Sequence, residues 1–320
     1  TLPPAPESTH VCADSRAVRK GSLVVAVNGT KCDGERYVAQ AMAAGAAGVV
    51  CEGESSAPCV RVRDARSALS RLACSWYGHP AKKLTVLGVT GTNGKTTVTY
   101  LLRHILRHTG LKTGLIGTVE NLVEEQAFPA QRTTPDALQL QRLLAQMAEA
   151  GCTYAVMEVS SHALVQHRVD GIGFAVGIFT NLTEDHLDYH GTMDSYCDAK
   201  ARLFRMSRAA VCNADDPWTE RLLAGTSCRT VRYGLHAPCD LWAEDIVLRD
   251  RSAAFTACTA QERAAVRLGV PGLFSVYNTL AAMAACGALG NPLKTCAEAL
   301  AEFAGGKGRM EVVPTPEKPY

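Results

Sequence analysis

The sequence lacks any apolar run near the roughly 18–20 residues that a membrane span requires, so no membrane-crossing helix and no membrane partner are expected. Its first residues, Thr1 to Ser8, carry neither a basic start nor an apolar centre, and no secretory leader is legible there. The chain starts at Thr1 rather than Met, as a trimmed N-terminus would. It also lacks an excess of one charge: 33 Lys and Arg against 31 Asp and Glu leave a net charge of +2. A nucleic-acid-binding surface usually shows as a strong basic patch, so no nucleic-acid partner is expected. Repeats, low-complexity tracts and Cys-x-x-Cys pairs are missing as well. The 13 cysteines are scattered without zinc-site spacing, and several follow apolar residues, as Cys51 and Cys212 do. Free cysteine in such surroundings behaves as a small buried hydrophobe. The set reads as core thiols of a cytoplasmic protein kept reduced, and no pattern offers an activating partner for a nucleophilic thiol.

What is present is α/β patterning. At about 150 residues per domain, 320 residues imply two domains and a fragment of a third, and 47% hydrophobic content suffices for ordinary cores. Residues 1–82 read as a small α/β domain, with strands at 23–27, 48–51 and 61–63 and helices at 35–44 and 64–77. Gly78-His79-Pro80 breaks the last helix, because proline disfavours helical geometry in the residue before it. Residues 83–308 form the central domain. Strands are expected at 84–89, 113–116, 153–159, 174–180, 209–213 and 230–233, with helices at 95–108, 136–150 and 193–206 between them. Such alternation implies a mainly parallel sheet with right-handed crossovers. Residues 240–249, 253–258 and 264–268 look like a small antiparallel sheet, followed by helices at 274–289 and 292–303. A further strand is expected from Arg309, so that 309–320 would begin a third domain.

The most specific segment is Gly88-Val-Thr-Gly-Thr-Asn-Gly-Lys-Thr-Thr97, directly after an apolar strand and directly before a helix, the context a phosphate-binding loop requires. Glycines let backbone N–H groups approach phosphates, and the helix N-terminus adds donors and a favourable dipole. Gly91, Thr92, Asn93, Gly94, Lys95, Thr96 and Thr97 would cradle the phosphates of ATP, with Lys95 on the β- and γ-phosphates and the Thr96 hydroxyl on Mg²⁺. The spacing departs from the common form in having Val89 where that pattern wants glycine.

Two later strands end in polar clusters. One places Glu158 near its carboxyl end, ahead of Ser160, Ser161 and His162; the other is followed by Asn181, Asp185, His186, Asp188 and His190. Ligands of open α/β sheets bind at the carboxyl ends of strands, so both clusters belong on the rim that carries the phosphate loop. A carboxylate and an imidazole there could hold Mg²⁺ directly or through water. Each has a plainer reading, Glu158 as a local cap and the histidines as groups that orient neighbours.

At these residues the sequence resembles the Mur ligase family over nearly its whole length. The likeness runs through Asp14-Ser-Arg16, residues 21–27, Asp33-Gly34, residues 91–97, Thr133-Thr-Pro-Asp136, residues 157–168, residues 180–191, Tyr277-Asn278 and Gly308-Arg-Met-Glu311. The strings Ser-Ser-His…Gln-His-Arg and Asp-His-Leu-Asp-Tyr-His-Gly point to the branch that adds the third amino acid. The resemblance implies a UDP-binding domain, a central ATPase and a C-terminal domain for the incoming amino acid. It places Ser15, Thr30, Lys31 and Cys32 on the uridine nucleotide, and Thr133, Thr134, Ser160, Gln166 and Arg168 on the muramoyl-dipeptide. It gives Thr96 and Glu158 one Mg²⁺, Glu158 and His186 a second, and Asn278 the neighbourhood of adenine, although Phe274-Ser275 departs from the usual Phe-Asn nearby. Lys200, which spacing alone leaves as a surface helix lysine, matches the lysine that this family carbamylates, an anionic oxygen ligand suited to Mg²⁺.

The implied reaction is ATP-dependent amide formation. A carboxylate of UDP-MurNAc-L-Ala-D-Glu is phosphorylated, and the acyl phosphate is attacked by the amine of meso-diaminopimelate or L-lysine. Lys95, Glu158, His186 and Lys200 would carry the chemistry in a monomeric enzyme. With only Pro314 to Tyr320 after the Arg309 segment, the receiving domain is expected to be missing and the 320-residue chain to turn over weakly or not at all. Two alternatives remain: a folylpolyglutamate-synthase-like or cyanophycin-synthetase-like ligase, and a nucleotide-binding module without chemistry.

Overall fold

A computed structural model describes residues 10–28, 38–53, 59–236, 238–303 and 305. Thr30, Lys31, Cys32, Asp33-Gly34 and the segment from Arg309 lie outside the described residues, as does the start of the helix expected at 35–44. The chain divides into two compact units.

The first unit holds a four-stranded parallel sheet in the order β1 (His10–Cys12), β2 (Ser22–Val25), β3 (Gly48–Cys51) and β4 (Cys59–Arg61). Alternate residues of β1 to β3 face opposite sides and apolar residues on both are buried, as in parallel sheets generally, while the edge strand β4 leaves Val60 exposed. Val24, Val49 and Cys51 pack with Val38 and Ala41 of α1 (Val38–Ala43). Val11, Val25 and Val50 pack with Ala65, Leu69 and Ala73 of α2 (Ala65–Trp76). The Asp64 carboxylate starts α2 as its N-cap, accepting the Ser67 N–H at 2.8 Å. Strand β1 was not foretold, for three residues after a Pro-rich start give no usable periodicity.

This unit also takes in Pro135–Ala145 and Val165–Gly171, which sequence reasoning placed with the central domain. Side-chain chemistry explains it. Ala137 is buried in the α2-side cluster, the Ser70 hydroxyl donates to the His167 carbonyl, and Ser67 Oγ donates to Asp170 Oδ2 at 3.2 Å.

The second unit is built on one sheet of eleven strands. In chain order they are β5 (Thr85–Thr90), β6 (Thr113–Ile116), β7 (Glu120–Val123), β8 (Gln126–Pro129), β9 (Tyr154–Glu158), β10 (Phe174–Phe179), β11 (Ser207–Asn213), β12 (Arg229–Gly234), β13 (Leu241–Arg249), β14 (Ser252–Cys258) and β15 (Arg263–Leu268). Their spatial order is β15-β14-β13-β12-β11-β10-β5-β9-β6-β7-β8. From β6 to β13 every neighbour is parallel. The antiparallel pairs extend the same sheet at both ends, since β13 joins β12 through Tyr233↔Leu241 and Gly234↔Trp242. The β7–β8 hairpin escaped sequence reasoning. Its turn puts Glu124 at φ 53°, where the glycine or asparagine that usually betrays a hairpin is absent.

Helix α3 (Lys95–His108) shows why this core forms. Val98, Leu101, Leu102, Ile105 and Leu106 recur at the spacing of one helical face, and all are buried against Leu87, Val89, Val156 and Ile178 of the sheet. Helix α9 (Leu273–Ala288) joins the same cluster through Val276, Leu280 and Met283. On the sheet itself, Gly88 of β5 leaves room for the Phe174 ring, which would lie 2.8 Å from any Cβ placed there. Phe174 is fully buried. Phe174→Ala should cost about 3–5 kcal/mol, read as a drop in the denaturant midpoint at unchanged slope; a loss below 1 kcal/mol (about the cost of a single methylene) would count against this packing. No helix among the described residues is long and apolar enough to cross a membrane.

Candidate functional site

The loop Gly91 to Gly94 leaves the carboxyl end of β5 and enters α3 at Lys95. Its conformation demands glycine twice. Gly91 has φ 145° and Gly94 φ 87°; a Cβ would strike Thr180 Oγ1 at the first and Asn278 Oδ1 at the second. The loop is fixed from the chain after β10. Asn181 O accepts the Thr92 N–H at 2.8 Å, Asn181 Oδ1 accepts the Asn93 N–H at 3.0 Å, and Thr180 Oγ1 donates to Asn93 O at 2.6 Å. Thr92 Oγ1 donates to Thr183 O at 3.2 Å. The Lys95 ammonium folds back onto the loop, donating to Gly91 O and Thr92 O, each at 2.8 Å.

Glu158, last residue of β9, is 1% exposed, and both oxygens of its carboxylate are held by Thr118. The Thr118 N–H reaches Oε1 at 2.9 Å and the Thr118 hydroxyl reaches Oε2 at 3.0 Å. Thr118 Oγ1 also lies 3.1 Å from Thr133 Oγ1. Thr134 bridges the backbone nearby, its hydroxyl donating to Glu158 O at 2.9 Å and accepting the Ser160 N–H at 3.0 Å. These strand ends converge because β5, β6 and β9 are parallel neighbours. A cavity of about 260 Å³ is lined by Thr92 to Thr97, Thr118, Thr133 and Glu158. Backbone donors and a lysine on one wall can take phosphate oxygens. Hydroxyl and carboxylate oxygens from Thr96 and Glu158 suit a hard divalent cation, which commonly keeps waters and phosphate as its remaining ligands.

Lys200, on α7 (Met193–Arg205), is 1% exposed. Its Nζ donates to Gly91 O at 3.0 Å and lies 4.3 Å from the centre of the Tyr196 ring. Burial, then the nearby Lys95 charge, holds its amine well below the usual lysine range. The expectation of a surface lysine from spacing alone is overturned. Around Tyr196 gather three histidines. His190 stacks on it at 4.9 Å, His186 meets it edge-on at 6.1 Å, and His162 meets His186 edge-on at 4.9 Å. His190 is pulled down to about 4, first by burial and then by His162, Lys200 and His186, so it is neutral near pH 7 (well above that value) and shares a 2.9 Å hydrogen bond with Ser161 Oγ. His186 has φ 53°, and its Nδ1 lies 3.4 Å from Asp185 Oδ1.

Of the residues singled out from sequence, the structure brings the phosphate loop, Glu158, Thr133 and Thr96 to one cavity, with Asn278 against Gly94. His186 and Lys200 are not in its lining, and no group of three or more His, Cys, Asp or Glu among the described residues is placed to hold a metal ion. Ser15, Gln166 and Arg168 belong to the first unit. There Ser15 opens a single 3-10 turn capped by Asp14, and the Arg168 guanidinium donates to Gln166 Oε1 at 2.6 Å. Thr118 and Tyr196 were missed. Thr118 follows Ile116-Gly117 at a strand's carboxyl end, the position rule that found Glu158; Tyr196 gave no signal apart from its place one turn before Lys200.

A phosphate-binding loop on the carboxyl edge of a parallel sheet, with a buried carboxylate facing it, defines a P-loop nucleotide-binding protein. The chain belongs to the Mur ligase family: the Mur ligase middle domain matches residues 89–286, and a second model, described as the Mur ligase family catalytic domain, matches residues 7–77. It is 45% identical over 319 residues to the UDP-N-acetylmuramoyl-L-alanyl-D-glutamate–2,6-diaminopimelate ligase of Geobacillus kaustophilus, covering 96% of this chain and 65% of that protein. The protein of the same name from Gloeobacter violaceus is 46% identical over 308 residues, covering 94% of this chain and 63% of that one. Among solved structures, a UDP-N-acetylmuramoyl-L-alanyl-D-glutamate–2,6-diaminopimelate ligase superposes with a TM-score of 0.85 at 30% identity, covering 97% of this chain and 66% of the other. MurF from Acinetobacter baumannii follows at 0.70 and 26%, covering 98% and 66%. The chain thus spans about 65% of the length of the curated relatives it matches.

Proposed function

We propose that the chain is the nucleotide- and UDP-substrate-binding body of a cytoplasmic ATP-dependent amide ligase of peptidoglycan synthesis, which joins 2,6-diaminopimelate to UDP-MurNAc-L-Ala-D-Glu. The observation that carries this reading is the single cavity shared by the phosphate loop, Glu158 and Thr133, together with relatives of that name at about 45% identity. Lys95 and the loop N–H groups would hold the ATP phosphates, and Asn278, already against Gly94, would border the base. Thr96 and Glu158 offer the oxygen donors that one Mg²⁺ needs, and bound there the ion would neutralise charge on the transferring phosphoryl group.

A second Mg²⁺ would draw on Glu158 and His186, with Lys200 contributing only if it is converted. Burial lowers the Lys200 pKa, and its amine, once deprotonated, can add CO₂ and lose a further proton to give an anionic carbamate. Thr133, Thr134, Ser160, Gln166 and Arg168 would hold the muramoyl-dipeptide, and Ser15 with Thr30, Lys31 and Cys32 the uridine nucleotide. The N-terminal domain would be residues 1–82 and the central one 83–308, with two excursions of the latter serving the former. Isothermal titration with UDP-MurNAc-L-Ala-D-Glu tests the reading. Specific binding is expected, weakened about tenfold or more by Arg168→Ala through loss of a charge-assisted contact; binding of equal strength to the UDP-free dipeptide would overturn it.

A further inference from the structure

The Glu158 carboxylate is buried at 1% exposure, yet both of its oxygens are occupied by one residue, Thr118, at 2.9 and 3.0 Å. Thr118 itself lines the phosphate cavity beside Thr96 and Thr133. We propose that Thr118 is the positioning residue of this site, clamping the Glu158 carboxylate so that it faces the nucleotide-bound cation. The inference rests on the reading of the cavity as a Mg²⁺–nucleotide site.

Three features argue for a clamp over an incidental contact. The two hydrogen bonds come from one residue through different atoms, a backbone N–H and a hydroxyl, and together they fix the plane of the carboxylate as well as its place. Gly117, just before Thr118, makes the approach feasible, because a Cβ there would come within 2.5 Å of Glu158 Oε1. And Thr118 Oγ1 has one proton for two neighbours. The carboxylate is the stronger acceptor, so the proton goes to Glu158 and leaves Thr118 Oγ1 to accept from the Thr133 hydroxyl at 3.1 Å. The Thr133 side chain, itself on the cavity wall, thereby reinforces the clamp. A carboxylate left unheld in such a place would be free to rotate, and groups that orient metal-binding carboxylates typically matter about ten- to a hundredfold in metal affinity.

The test is a Mg²⁺ titration of the whole chain with β,γ-imido-ATP, read by isothermal calorimetry alongside nucleotide binding in EDTA. Thr118→Val keeps the volume and the backbone N–H but removes the hydroxyl. It should raise the Mg²⁺ concentration needed for half-maximal tightening by about ten- to a hundredfold, a larger loss than binding in EDTA suffers, with Thr118→Ser restoring the original requirement. In a Glu158→Gln background the same substitution should add nothing, because the clamp then has no carboxylate to hold. An unchanged Mg²⁺ requirement in Thr118→Val overturns the clamp while leaving the site reading standing. Equal weakening with and without Mg²⁺ also overturns it, since Thr118 would then act on the nucleotide. Should the unsubstituted chain bind the nucleotide identically in Mg²⁺ and EDTA, the site reading itself falls and the clamp with it. Where Thr118→Val melts early, Thr118→Ala measured at lower temperature gives the same comparison.

Discussion

Lys95→Met should bind Mg²⁺–ATP about ten- to a hundredfold more weakly than the parent chain, because the variant lacks a charge-assisted contact to phosphate. The ammonium is placed for that contact from the start. It is tied to Gly91 O and Thr92 O, carbonyls of the same loop, and Lys95 itself lines the cavity with Thr92 to Thr97. Taking up phosphate exchanges two neutral acceptors for anionic ones, a gain in hydrogen-bond strength. Lys95→Arg should not rescue binding, since a planar fork does not reproduce a compact point charge in so close a loop. Calorimetric titration with ATP decides it: an affinity within a factor of about two of the parent's, well under the tenfold per 1.4 kcal/mol expected, would remove Lys95 from the phosphate site. The melting temperature should fall only slightly, because Gly91 O retains the Lys200 hydrogen bond at 3.0 Å.

Much of this was legible in the chain because local chemistry dictated it. The loop turns at Gly91 and Gly94, whose φ angles of 145° and 87° and close neighbours leave no room for a side chain, and α3 carries an apolar face at regular spacing, so both elements were placed within a residue. The rule that strand ends hold ligands pointed to Glu158 and His186, of which Glu158 lines the cavity and His186 does not. What escaped was decided by tertiary packing. Nothing about Pro135–Ala145 or Val165–Gly171 says that the first unit will claim them; Ala137 and the His167 carbonyl matter only once α2 stands opposite. Thr118 reads as one more threonine until β6 and β9 pair and bring it to Glu158. Lys200 is the sharpest case. Within Met193 to Arg205, Lys200 shares a helical face with the buried Tyr196, Cys197, Leu203 and Phe204, and the packing of that face leaves Lys200 1% exposed, against the usual place of a lysine.

That burial makes Lys200 a position where stability and function should move in opposite directions. Its folded-state amine titrates well below lysine's ordinary 10.5, chiefly through burial and next through the Lys95 charge. Between the folded value and 10.5 the unfolded chain therefore binds a proton that the folded chain does not, so the stability of the parent rises with pH across that window. Lys200→Met has no such slope. In CO₂-free buffer it should melt higher than the parent at about pH 7, by about 2–4 °C for each kcal/mol of desolvation relieved, and the gap should narrow as pH climbs toward 10.5. A variant that melts lower at every pH would show instead that the hydrogen bond to Gly91 O outweighs the burial of the amine. The functional arm runs the other way. With ¹³C-bicarbonate present, the parent should give a carbamate carbonyl resonance that the variant lacks, and any phosphoryl transfer by the enzyme should fall by about a hundredfold or more in the variant, the scale of losing one electrostatic stabiliser. Parent protein with neither the resonance nor any response to bicarbonate would leave Lys200 a buried amine that tethers the loop, and the proposed second Mg²⁺ would have only Glu158 and His186 to draw on.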